Sequence, residues 1–402
     1  MSKEQFIHVP YGKAVWGEAE KKAVMHVLDT STQMGKHVRD MEAGVAKLFD
    51  KKHGIMVNSG SSANYLAVEI MNLPKGSEVI TPVLTFSTTV APLVKAGLIP
   101  AFVDAEPATF NIDANQIEAM ITPKTKAMFI PNLLGNLPDW HKIRALADKY
   151  NLFLVEDSAD TLGATIDGKT AGRFVDLSTT SFYGSHVVTC GGNGGMVCVN
   201  DDKMADRAKL LRSWGRSSSL FVESEAIENR FNTKVDGVQY DAKFIFEALG
   251  YNIEPNEMCA AFGLVQLDYL QKNIDIRNQW FKRQRDFFAQ YPQFFTLPEQ
   301  LPHSRTGWLA FPFIIKDGAP FTRTEMQIFL EKRNIQTRTV FTGNILRQPG
   351  FSDIECRKDP AGYPNSDRVM KNGMLLACHH GLTEEMLAHV HESVALFLKQ
   401  FN

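Results

Sequence analysis

Four short segments carry residues that can do chemistry. The first, Asn58-Ser59-Gly60-Ser61-Ser62-Ala63-Asn64, is a small-residue turn opening into a helix. Its free N–H groups and the Ser61 and Ser62 hydroxyls can hold an anion against the positive helix end, and a plain N-capping serine run is the other reading. The second, Thr85-Phe86-Ser87-Thr88, supplies an aromatic ring that serves either as a stacking platform or as core. The third, Glu156-Asp157-Ser158-Ala159-Asp160, sets carboxylates at the end of an apolar run. A buried carboxylate needs a partner; a cationic heterocycle nitrogen is one, and helix capping is the alternative. The fourth, Ser181-Phe182-Tyr183-Gly184-Ser185-His186, puts an imidazole beside a glycine turn, where it can shuttle a proton near neutrality or be satisfied structurally. None of the four is specific alone; their order is.

Each follows an apolar run of strand length. The runs fall at 54–57, 78–81, 101–103, 127–130 and 153–155, with amphipathic stretches at 63–71, 115–121 and 139–150 between them. Repeated β-then-α spacing predicts an α/β protein: a mostly parallel mixed sheet covered by helices on both faces, with ligands outside the C-terminal strand ends. Two further runs, 177–183 and 195–199, flank the glycine-rich Gly191-Gly192-Asn193-Gly194-Gly195, which suits a tight connection between strands. The chain is expected to divide into a large unit at 1–255, a helical connection at 256–291 and a smaller C-terminal α/β unit at 292–402.

Composition excludes several classes. Forty-three Lys+Arg against 45 Asp+Glu leave a net charge of −2, which rules out a basic nucleic-acid sleeve or a polybasic membrane surface. No apolar stretch is long enough to span a bilayer, and the first residues lack the apolar core of a signal peptide, so a cytoplasmic protein is the expectation. The five cysteines are odd in number and none are spaced C-x-x-C, which disfavours a disulfide framework and a metal or iron–sulfur site on closely spaced thiolates.

The Ser/Gly turn, the aromatic after the next strand, the Glu-Asp at a later strand end and the Ser-Phe-Tyr turn, at these intervals, resemble the DegT-type sugar aminotransferases, fold type I enzymes that use pyridoxal 5′-phosphate (PLP). Gly250-Tyr251-Asn252 and the segment 259–267 extend the likeness, which covers essentially the whole chain. The resemblance implies that Gly60, Ser61, Ser62 and Ser181 hold the cofactor phosphate, that Phe86 stacks on its ring, and that Asp157 pairs with the ring nitrogen. It implies that Asn252 reaches the phosphate of a neighbouring subunit, so that a homodimer shares its active sites. Asp160 stands where the family often has Gln or another hydrogen-bonding group near the cofactor's 3′-oxygen.

One departure is informative. Where the aminotransferases carry the lysine that bonds the cofactor, this chain has His186, and no lysine occurs between Lys169 and Lys203. Imidazole cannot form that Schiff base, so the cofactor must be held non-covalently. The substitution resembles the family's sugar 3-dehydratases, which remove a hydroxyl from 4-keto-6-deoxy nucleotide sugars using the amine form of the cofactor, pyridoxamine 5′-phosphate (PMP). His186 would then be the catalytic base. One kind of 3-dehydratase uses a cysteine-ligated iron–sulfur cluster and a partner reductase; the corresponding segment here, 220–249, has no cysteine. The other kind, acting on a GDP-linked 4-keto-6-deoxymannose, regenerates PMP with L-glutamate. Asn132-Leu133-Leu134-Gly135-Asn136, Pro255, Glu257, Thr342-Gly343-Asn344 and His380 resemble this second kind.

Arg338 and His380 are expected to line the substrate or glutamate site, and Arg212 and Arg216, flanking Trp214, to contact a diphosphate. The implied activity is an iron-free 3-dehydration serving a surface polysaccharide. A sugar aminotransferase that manages without lysine and a catalytically retired binding relative are the alternatives.

Overall fold

The computed structural model describes residues 6–221, 223 and 225–401. Among these, seven strands form the main sheet: β1 (His53–Val57), β2 (Glu78–Pro82), β3 (Ile99–Val103), β4 (Thr125–Pro131), β5 (Phe153–Asp157), β8 (Leu177–Ser181) and β9 (Gly195–Val199). The short β6 (Thr165–Ile166) and β7 (Lys169–Thr170) lie outside it. The order is β1-β9-β8-β5-β4-β2-β3. All neighbours from β8 to β3 run parallel, and β9 is antiparallel to both β8 and β1.

Strands β2, β5 and β8 are buried along their length but for the first residue of β5, as a sheet covered on both faces requires. One face packs Ile80, Met128, Ile130 and Leu154 against Trp140 and Ile143 of the helix Trp140–Tyr150. The other packs Val79, Phe129, Val155 and Val197 against Leu66 and Ala67 of the helix Gly60–Met71. The hydroxyl of Ser59 accepts from Ser62 N at 3.1 Å to start that second helix, and Asn72 ends it in the left-handed region. The serine run is therefore a cap, and it opens at the C-terminal end of the sheet.

Two expectations are corrected. The predicted helix at 115–121 is a single 3-10 turn, Glu118–Met120, because Asp113 turns the chain locally by accepting from Asn115 N at 2.9 Å and Pro123 follows. The connection from β8 to β9 is not tight: it spans 182–194 and carries His186. Gly191, Gly192 and Gly194 take positive φ there, returning the chain to pair with β8.

The region 256–291 is two helices, Glu257–Asp268 and Leu270–Phe288, meeting at Tyr269. Beyond a hairpin of β10 (Thr233–Val235) and β11 (Val238–Tyr240), the C-terminal strands form a four-stranded antiparallel sheet. It contains β12 (Phe295–Thr296), β14 (Ala310–Ile315), β15 (Arg338–Thr339) and β16 (Gly373–Ala377), while β13 (Ser304–Arg305) pairs with β6. Its core is rich in phenylalanine, with Phe288 against Phe295, Phe311 and Phe313, and Phe295 against Phe313. Val9 belongs to this core and bridges to Ile335. Residues 6–11, expected in the large unit, thus lie on the small one, and the chain crosses from there past the site.

Candidate active site

A cavity of about 530 Å³ opens at the C-terminal ends of the central strands. Gly60, Ser61, Phe86, Asp157, Asp160, Ser181 and His186 all line it, although they come from segments up to 126 residues apart in the chain. The sheet brings them together because each ends or follows a strand whose C-terminal end lies on the same side.

Asp157 is the last residue of β5, in register with Pro131 and Thr179. It accepts from Asn64 Nδ2 at 2.8 Å, Thr89 Oγ1 at 2.9 Å and its neighbour Ala159 N at 3.1 Å. Burial pushes its carboxyl up, against the pull of those three donors. A carboxylate so placed is suited to a cationic nitrogen, whose charge would offset the burial.

The anion end is built on close approach. A Cβ on Gly60 would fall 2.4 Å from the Cβ of Ser181, so only glycine lets the helix start beside that serine. Ser61 donates to Thr88 at 3.1 Å and faces the cavity. Ser62 does not line it: its hydroxyl is spent on Asn58 at 2.6 Å, which corrects its assignment. Phe86 is 50% exposed and meets Phe341 edge-on at 5.9 Å, so it is a wall of the cavity rather than core.

His186 is anchored through Nδ1, 3.0 Å from the carbonyl oxygen of Ser181. A carbonyl only accepts, so Nδ1 carries the proton and Nε2 keeps its lone pair. Nε2 lies 3.7 Å from Asp160 Oδ1. Burial holds the imidazole pKa down to about 4. Burial, and then the charge of Asp157, push Asp160 up to about 7, although Leu134 N donates to its Oδ2 at 3.0 Å.

The C-terminal candidates fare differently. Arg338 is exposed on β15, donates to the carbonyl of Thr337 and lies over the ring of Tyr11 at 5.3 Å, at the margin of the cavity that Tyr11 lines. His380 does not line the cavity: it is buried, its Nδ1 accepting from Arg277 at 3.2 Å. Arg212 is a buried structural cation, paired with Glu42 at 2.6 Å and with the Met56 carbonyl at 3.0 Å, so the diphosphate role is withdrawn. Arg216 stacks on Trp214 at 4.2 Å, away from this cavity. Asn252 bridges to Ser213 and is likewise outside the cavity of its own chain.

Sequence reasoning missed Tyr11, Asn64, Thr89 and Arg277. Asn64 sits within the quoted Ser/Gly turn, one helical turn after Gly60, and that spacing was a usable signal. Arg277 looks in sequence like any helical arginine, yet it is fully buried and donates to Ser185 O at 2.9 Å and Trp308 O at 3.0 Å. Among the described residues, no lysine lines the cavity.

An open, mostly parallel sheet with a capped serine turn, an exposed aromatic ring and a buried carboxylate at its strand ends is the arrangement of a fold type I PLP enzyme. Residues 15–395 match the DegT/DnrJ/EryC1/StrS aminotransferase family, and the chain belongs to it. It is 35% identical to the lipopolysaccharide biosynthesis protein RfbH of Salmonella typhimurium, over 95% of this chain and 89% of the relative. It is also 35% identical to the dTDP-4-dehydro-2,6-dideoxy-D-glucose 3-dehydratase of Saccharopolyspora spinosa, over 96% of this chain and 85% of that one. The solved structure of Escherichia coli GDP-4-keto-6-deoxy-D-mannose-3-dehydratase with bound hydrated PLP is similar at a TM-score of 0.87 and 29% identity, covering 96% of this chain and 99% of that one. The protein is a PLP-dependent, sugar-modifying enzyme of this family.

Proposed function

We propose that this chain is a 3-dehydratase that removes the C3 hydroxyl of a 4-keto-6-deoxy nucleotide sugar, GDP-linked, with L-glutamate restoring the amine form of the cofactor and no iron–sulfur cluster. The observation that carries the reading is His186: a neutral imidazole with its free Nε2 in a lysine-free cavity that also holds Asp157. The absence of cysteine from 220–249 and the near-complete mutual coverage with the GDP-sugar 3-dehydratase support the iron-free, GDP-linked form.

PLP or PMP, when bound, supplies an electron sink and an amine that condenses with a keto sugar. The chain's residues hold and steer it. Asp157 would pair with the ring nitrogen and keep it protonated; the N-terminus of Gly60–Met71, with Ser61 and Ser181, would take the phosphate; Phe86 would cover one ring face. His186 Nε2 would take and return the proton at the carbon beside the ring, its Nδ1–H fixed by Ser181. Arg338, at the cavity margin, is a fork for the carboxylate of glutamate or for a diphosphate.

The working unit in this reading is a homodimer. Leu249 (99%), Ile227 (72%) and Val238 (63%) are exposed on the segment that leads to Asn252, which lies outside its own chain's cavity. Large apolar side chains grouped on a surface favour association. A second copy covering this face would bring Asn252 to the neighbouring phosphate site. Among the described residues no helix is long and apolar enough to cross a membrane, and a cytoplasmic location is part of the proposal.

The test is incubation with PLP, L-glutamate and a panel of 4-keto-6-deoxy nucleotide sugars, reading product masses. The expected product is lighter by one oxygen, with ammonia and 2-oxoglutarate formed alongside. An amino sugar would overturn the reading in favour of a transaminase, and binding of cofactor without any reaction with glutamate would point to a retired enzyme.

A further inference from the structure

Asp160 and His186 face each other with one atom of each held and the other free. Asp160 Oδ2 is held by Leu134 N at 3.0 Å, and His186 Nδ1 is held by Ser181 O at 3.0 Å. That leaves Oδ1 and Nε2, 3.7 Å apart on the wall of one cavity. The donor that fixes Asp160 is itself strained: Leu134 has φ +62°, a left-handed conformation that a leucine rarely adopts. It is locked there by Leu309 N, which donates to the Leu134 carbonyl at 2.9 Å, and by Gly135, whose φ is +87° and whose Cβ would meet the same Leu309 N at 2.8 Å. Strain of this sort at a cavity wall persists only where the surroundings impose it, and here its product is the aim of one carboxyl oxygen at one imidazole.

We propose that Asp160 is the proton reservoir of His186, accepting on Oδ1 the proton that Nε2 has abstracted and giving it back to the departing hydroxyl.

In the transfer the Nε2–H bond breaks, an O–H bond forms on Asp160, and Nε2 recovers its lone pair. When the carboxyl proton passes to the leaving hydroxyl, water is released and Asp160 is ionised again, so protons balance with no oxidant or reductant. The gap of 3.7 Å is about 0.8 Å longer than a hydrogen bond, a distance that a small imidazole rotation closes once the ring is charged. The physical gain is that an isolated imidazolium never persists in a buried site, where it is costly. The charged or titratable groups around the pair are Asp157 at the end of β5, Arg277 from the long helix, Tyr11 from the N-terminal crossing and Tyr183, whose ring meets that of His186 edge-on at 6.0 Å. Asp157 raises Asp160, Arg277 lowers both members, and Tyr11 remains protonated. The directions leave the resting proton on the carboxyl, so the reservoir becomes available as pH rises through about 7.

The inference rests on His186 being the proton carrier, and the test separates the two. In the full chain labelled with ¹⁵N-histidine and without substrate, the His186 ring signal should shift with an inflection near pH 7 while Nε2 stays unprotonated, reporting Asp160 beside it. In Asp160→Asn, which keeps an acceptor for Leu134 N–H, that inflection should vanish. The pair is overturned if the inflection is missing from the wild type, if Nε2 itself gains a proton there, or if the variant retains it. With cofactor bound, Asp160→Asn should slow the glutamate half-reaction at least tenfold and flatten its rise through pH 7; a normal rate and profile would also overturn the inference. Should the variant fail to fold, the wild-type titration alone decides. Conversion of sugar by a protein lacking the inflection would sink the reservoir and leave the proposed function standing, whereas a correct titration without sugar chemistry would do the reverse.

Discussion

The Nδ1 atom of His186 lies 3.0 Å from the carbonyl oxygen of Ser181, the last residue of β8. One strand end therefore contributes a side chain to the cavity wall and a backbone oxygen that sets the tautomer of His186. An asparagine at 186 can still donate to that carbonyl but has no basic nitrogen. His186→Asn should bind PLP as the wild type does and lose proton transfer by on the order of a hundredfold or more. Rapid-mixing absorbance of the PLP form with L-glutamate measures both, and a normal rate in the variant means that the base is elsewhere.

A lysine at the same position restores the nucleophile that the rest of the cavity lacks. His186→Lys should attach PLP covalently, leaving the cofactor on a peptide containing residue 186 after borohydride reduction and digestion. Asp157 and Ser181 still line the cavity, where in the proposed reading they would hold ring and phosphate. If no such peptide is found, residue 186 does not face the reacting carbon, and the placement of the cofactor fails with it.

The parts legible in the sequence were those whose signal is local. Asp157 follows an apolar run and His186 follows a glycine turn, and strand ends in a parallel sheet converge by topology, so these residues could be joined before any geometry was known. Arg212 and His380 were misplaced because an arginine or histidine in sequence carries no mark of burial. Each is held by a residue more than 100 positions away, Glu42 for Arg212 and Arg277 for His380. Tyr11 was invisible for the same reason: it reaches the cavity only because Val9 docks on Ile335 at the other end of the chain.

Arg277 shows what such long-range residues contribute. Its guanidinium joins the Ser185 carbonyl, one residue before His186, to the Trp308 carbonyl just before β14 and to His380. Burial lowers its pKa to about 10, so it remains charged at neutrality. Arg277→Met would strand two buried acceptors, His380 Nδ1 and the Trp308 carbonyl, and the part-buried Ser185 carbonyl; at about 1–3 kcal/mol for each buried one, a stability loss of about 2 kcal/mol or more is expected. Arg277→Lys should recover only part, since an ammonium cannot span a planar fork. Urea denaturation with an unchanged m-value checks this; a loss under 1 kcal/mol for the Met variant would show that water replaces the guanidinium.

Four imidazoles set the acid limit of stability. Burial lowers His186, His379 and His391 to about 4 and His380 to about 3, against roughly 6.5 in an unfolded chain. A depressed pKa contributes stability that is complete above the unfolded value and declines as pH falls toward the folded one. Thermal stability should therefore drop between about pH 6.5 and 4. Asp160 acts in the opposite sense: raised to about 7, it favours the fold at low pH and loses that contribution as pH rises through 7. His380→Asn keeps an acceptor for Arg277 and removes one titrating group, so its melting temperature should fall less steeply over the acid range. An unchanged slope would mean that His380 is not held neutral.

The proposed sharing of the site between subunits makes a prediction that neither variant makes alone. Asn252 is bridged to Ser213 beside an exposed apolar segment, whereas His186 lies within its own chain's cavity. If each site takes Asn252 from one subunit and His186 from the other, Asn252→Asp, which sets a negative charge against the phosphate, and His186→Asn should each be inactive as homodimers. Mixing them after brief unfolding and refolding places both lesions in one site of the mixed dimer and leaves its other site native. Random pairing makes half of the dimers mixed, each with one good site of two, so activity should return to about a quarter of wild type. Recovery on mixing, with neither parent active, is an outcome that sites confined to one chain cannot produce. Persistent inactivity of the mixture, with dimers confirmed by sedimentation, would mean that Asn252 does not act in the site that holds the partner's His186.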